Sequence, residues 1–125
     1  MNTLIFEPEG AGPQPSLIIA QHLPIADEGL EKDTFTIDIG ERYAAAGYIC
    51  TIPFILHWWP NDEDIAAKRE GFRDDRTVAD LNATFKLLAG VDRVNADKMG
   101  IFEHCCGRRV CVVLWRASES TIRGQ

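Results

Sequence analysis

Residues 103 to 107 read Glu-His-Cys-Cys-Gly, after the apolar run Met99-Gly100-Ile101-Phe102. A chain that leaves a strand abruptly and enters a helix at a glycine presents its turn residue outward, and the pattern Gly-x-nucleophile-x-Gly marks that device. Here Cys105 takes the nucleophile position, Gly107 supplies the second glycine, and Glu103 stands where the first would be. A thiol at a helix N-terminus feels the positive end of the dipole, which favours thiolate. The plainer reading of Cys105 is a small apolar filler, since free cysteine is usually buried and inert. The three histidines, His22, His57 and His104, are the candidate bases. His22 could take the thiol proton as in Cys–His pairs, or be a polar loop residue. His104 adjoins Cys105, and neighbours in sequence rarely face each other.

Positioning such groups requires a sheet. Thr3–Phe6, Leu17–Ala20, Tyr48–Ile52 and Lys98–Phe102 read as strands, short and rich in branched residues. Residues 31–46 read as a helix with Phe35, Ile39 and Tyr43 on one face and Gly47 as its stop. Residues 76–90 give a second, with Val78, Leu81, Phe85 and Leu88 on one side. A third is expected over 108–117. The segment 54–75 holds the loop His57–Asp64 and room for a short helix after it. Alternating strands and helices imply an α/β fold, a parallel three-layer sheet of about four strands with right-handed crossovers. Chemistry in such sheets gathers at the carboxyl ends of the strands. Those ends carry Gln21–Leu23, Phe54–Trp59 and Glu103–Cys106, which include all three histidines.

The 125 residues suffice for one domain, 1–125, and the 46% apolar and 26% charged content is that of a globular chain. A net charge of −6 disfavours nucleic acid and anionic membranes as partners. No apolar run approaches a bilayer span, and the N-terminus lacks the pattern of a signal peptide, so a cytoplasmic location is expected. In that compartment Cys50, Cys105, Cys106 and Cys111 should be free thiols. A metal site built on His104, Cys105, Cys106 and His22 is a third reading of the motif, weakened because adjacent ligands chelate poorly. No metal and no cofactor is expected.

Four stretches, in order, resemble the dienelactone hydrolase family, a branch of the α/β-hydrolases with a cysteine nucleophile. They are FEPEGAGPQPSLIIAQHLP, ERYAAAGYICTIPFIL, DDRTVADLNATFKLLAG and KMGIFEHCCGRRV. The resemblance covers about Leu4 to Ala117 and implies the second to fifth strands of that fold. It implies Cys105 as nucleophile, and the backbone N–H groups of Leu23 and Cys106 as the oxyanion hole. His22 falls where many members carry a glutamate. His57 falls at a polar, substrate-side position, beside Trp58 and Trp59, which either line a small-molecule pocket or cover an interface.

The departures are as informative. The family's triad acid and histidine follow the fifth strand, and neither matches a residue here. Glu103 puts bulk and negative charge beside the presumed thiolate, Arg108 replaces a second glycine, and Phe54 replaces an aspartate. The expectation is a truncated, inactive or weakly active relative that persists as a homodimer with a binding or structural role, the dimer covering the open fifth-strand edge. The alternative is a minimal cysteine-dependent ester or lactone hydrolase, with a histidine as base.

Overall fold

A computed structural model describes residues 1–20, 30–60 and 62–103. Four strands, β1 (Thr3–Phe6), β2 (Gln14–Ala20), β3 (Ile49–Pro53) and β4 (Val94–Glu103), form one sheet in the order β1-β3-β2-β4. Helix α1 (Thr34–Ala45) connects β2 to β3, and α2 (Ile65–Glu70) and α3 (Asp74–Ala89) connect β3 to β4. The expected helix over 108–117 lies outside the described residues.

The sheet is mixed. β2 runs parallel to both β3 and β4, as the helical crossovers require, while β1 pairs antiparallel with β3, Thr3 facing Pro53 and Phe6 facing Cys50. β2 starts ahead of the expected Leu17, because the ladder begins at Gln14, whose N–H meets the Arg93 carbonyl at 2.7 Å. Pro15 has no N–H to give, and the β2–β4 register shifts between Gln14 and Ser16.

Strand β3 is buried along its whole length. With β2 it supplies Ile18, Ile19 and Ile52 to a core that Leu56, Leu81 and Leu88 complete, all six no more than 2% exposed. Burying each such side chain stabilises the fold by about 1.5–3 kcal/mol. Cys50 lies inside this core, and burial pushes its thiol up to about 11, so it is a packing residue rather than a reactive one.

Helix α1 starts at Asp33, a fully buried N-cap. One carboxylate oxygen accepts the Thr36 N–H (3.0 Å) and the other accepts the Thr36 hydroxyl (2.6 Å). The helix ends in a Schellman turn: Tyr48 N–H bonds the Tyr43 carbonyl and Gly47 N–H the Ala44 carbonyl, with Gly47 at φ +100°. Its buried residues are Thr36, Gly40 and Ala44, with Ile39 and Tyr43 packed at the margin and Phe35 45% exposed. The inward face is therefore rotated from the expected Phe35-Ile39-Tyr43 line. Small residues line the contact because the helix lies close to the sheet: a Cβ on Gly40 would stand 2.9 Å from the Phe6 ring.

Candidate active site

Register fixes which strand ends share a level. Thr51 pairs with Ile18 and Ile18 with Ile101, so Pro53, Ala20 and Glu103 finish together at one end of the sheet. This is where the fold places chemistry. Cys105 and Cys106 follow Glu103, and His22 and Leu23 follow Ala20; these four, with His104 and Arg108, lie outside the described residues. The segment after β3 is described, and it carries the site that is visible.

After Pro53 the chain turns twice. His57 N–H bonds the Phe54 carbonyl at 3.2 Å and Trp59 N–H the Leu56 carbonyl at 3.3 Å. Phe54, Ile55 and Leu56 are buried within the turns and anchor the segment, so that His57 and Trp58 project beyond the sheet. Both reach one carboxylate oxygen. Asp80 Oδ2 receives His57 Nε2 at 2.9 Å and Trp58 Nε1–H at 2.9 Å. A carboxylate only accepts, so in the neutral His57 ring the hydrogen resides on Nε2 and Nδ1 keeps the lone pair. The two rings lie 4.6 Å apart, and the Arg76 guanidinium carbon stands 4.9 Å above the Trp58 ring. The Asp80 side chain is 12% exposed and that of His57 26%, so the pair is shielded while the ring keeps contact with solvent.

Helix α3 holds the acid. Asp80 shares the inward face with Thr77 and Thr84, both buried, and Thr84 donates its hydroxyl to the Asp80 carbonyl at 2.9 Å. At the helix start Arg73 and Asp75 form an exposed pair whose hydrogen bonds hold the Asp75 carboxyl below its usual range.

The structure thus joins His57 and Trp58 through Asp80, a residue sequence reasoning passed over. Its signal was present: Thr77, Asp80 and Thr84 put a polar line along the buried face of an amphipathic helix. The two indoles part company. Trp58 is 44% exposed, whereas Trp59 packs against the core, its ring close to Gly71 at the end of α2. Among the described residues no group of three His, Cys, Asp or Glu side chains is disposed to hold a metal. No described helix is long and apolar enough to cross a membrane. A groove of about 650 Å³, lined by Phe6, Glu7, Glu9, Glu41 and Ala44 among others, lies at the opposite end of the sheet, away from these groups.

The strands β2, β3 and β4 run parallel and end level, and the Glu103–Gly107 stretch follows β4. The family model for dienelactone hydrolase matches residues 1–123. The chain belongs to the dienelactone hydrolase family. Among solved structures it is similar to that of a protein assigned as a dienelactone hydrolase from Klebsiella pneumoniae subsp. pneumoniae MGH 78578, with a TM-score of 0.70 and 22% identity. The alignment covers 86% of this chain and 45% of that one, so this member of the family spans less than half the length of that structure. No curated protein sequence matches it.

Proposed function

We propose that this dienelactone hydrolase relative keeps the elbow by descent but does not turn over esters or lactones through its thiol, and that it serves as a homodimeric binding or structural protein. The observation that carries this reading is the end of β4. The strand is paired as far as Glu103, opposite Ala20, and Cys105 follows two residues later. The elbow pattern places glycine at the position of Glu103, where strand and helix pass closely. A carboxylate at that position opposes both a thiolate and an incoming oxyanion.

Support for the dimer comes from the flanks of the sheet. Among the described residues β1 and β4 each have one unpaired edge, and Met99, Gly100, Ile101 and Phe102 on β4 are only half-buried although the strand neighbours the fully buried end of β2. A second copy would cover such an edge.

The test is hydrolysis of an activated aryl ester by the purified chain beside Cys105→Ala, with light scattering on the same samples. The expected result is no turnover that the substitution removes, and a mass twice the 14.0 kDa of one chain. Sustained turnover lost with Cys105 would establish instead the minimal cysteine hydrolase, with the amides of Leu23 and Cys106 holding the oxyanion. A monomer at micromolar concentration would remove the dimer.

A further inference from the structure

We propose that His57, oriented by Asp80, is a second reactive centre independent of the elbow thiol: an imidazole whose Nδ1 attacks small activated acyl esters. Three observations meet at this ring. Its Nε2 lies 2.9 Å from a carboxylate, which in the neutral ring fixes the tautomer and leaves Nδ1 with a lone pair. Nδ1 has no hydrogen-bond partner among the described residues, and the side chain is 26% exposed, so the ring is open to solutes. The acid is itself held in place: Trp58 Nε1–H binds the same oxygen, and α3 buries Asp80 between Thr77 and Thr84. A histidine serving only as filler or as a surface ion pair has no need of an acid fixed from two sides. A nucleophile or base oriented by a third group is the arrangement that covalent catalysis requires.

The step balances without a further reagent. The Nδ1 lone pair adds to the acyl carbon, the carbon–oxygen bond to the leaving group breaks, and the aryloxide departs with the electron pair. The resulting acylimidazolium carries its positive charge beside Asp80, which accepts the Nε2–H throughout. Water then adds to the acyl carbon, the carbon–nitrogen bond breaks with its electrons returning to Nδ1, and the carboxylic acid and one proton leave to solvent. Nothing in this sequence uses Cys105, so the centre stands or falls apart from the thiol.

The experiment therefore starts from Cys105→Ala and follows release of nitrophenolate from p-nitrophenyl acetate. In that background His57→Gln is expected to lower the second-order rate constant by about 100-fold, the low end of what one positioned side chain contributes. Asp80→Asn should lower it about tenfold, as loss of an orienting partner does. Two readouts guard against loss of fold. Ring-nitrogen NMR of the Cys105→Ala protein should show His57 held as the Nε2–H tautomer, and Asp80→Asn should release that preference. Diethyl pyrocarbonate followed by peptide mapping of the unsubstituted protein should modify His57 before His22 and His104. A rate no greater than that of free imidazole, a rate that survives His57→Gln, or modification of His57 last would each overturn the proposal.

Discussion

Gly40→Ala isolates how closely α1 approaches the sheet. In an open helix the change would stabilise by about 1 kcal/mol, because alanine is the better helix former. Here the new methyl would stand 2.9 and 3.0 Å from two carbons of the Phe6 ring and 3.3 Å from Ile52 Cδ1. Ile52 is fully buried in the central β3 and has nowhere to go, so Phe6, only half-buried on the outer strand, must shift. Overpacking of this kind costs about 1–3 kcal/mol. Set against the propensity gain, the expected net effect is a loss of about 1 kcal/mol at the middle of that range and about 2 kcal/mol at its top, a roughly 5- to 30-fold fall in the folded-to-unfolded ratio. Urea unfolding followed by circular dichroism reads it as a lower midpoint at unchanged slope. Phe6→Leu in the same chain makes room, and the double variant should be more stable than the sum of the two single losses. A Gly40→Ala protein as stable as the parent, or strictly additive losses, would refute the close approach.

Asp33→Ala removes the acceptor of two Thr36 donors at the buried start of α1 and should cost about 1–2 kcal/mol, read by the same urea titration. Arg93→Ala frees the 7–10 segment, which Arg93 ties through Glu7 and the Pro8 and Gly10 carbonyls. The pair is exposed, so stability should change by less than about 1 kcal/mol, while a glutamate-specific protease should cut after Glu9 faster. The Cys50 thiol, pushed by burial from 9.0 to about 11, keeps its proton in the native protein at pH values where the unfolded chain has lost it. Stability contributed this way is complete below pH 9 and declines as pH rises from 9 to 11; a Cys50→Ala variant should show a shallower alkaline decline.

The strands and helices were legible where one strong pattern governed them. Ile18, Ile19 and Ile52 are branched, contiguous and flanked by turn formers, and α3 shows Leu81 and Leu88 at helical spacing. The inward face of α1 was not legible, because its contact is made by what is missing at Gly40 rather than by the large residues that attract notice. Nor was the part of β4 before Lys98, where Ala96 and Asp97 are exposed and give no strand pattern. The direction of β1 depends on the partner it meets across the sheet, which no four-residue strand encodes. His57 was singled out by its place in the chain, but its acid lies 23 residues away, and only the crossing of α3 over the end of β3 brings the two together.

The order β1-β3-β2-β4 also bears on how the chain folds as it is made. β2 needs β4 on one side and β3 on the other, and its pairing of Gln14 with Val94 and Ala20 with Glu103 closes across most of the chain. At synthesis rates of about 5–20 residues per second, the interval between the appearance of the two strands is roughly 4–16 s, long compared with hairpin or helix formation. For that time a strand whose last three residues, Ile18, Ile19 and Ala20, are buried in the finished sheet stands with an open flank. Chaperone binding to nascent chains halted before Val94 should therefore be strong, and should fall once β4 has emerged.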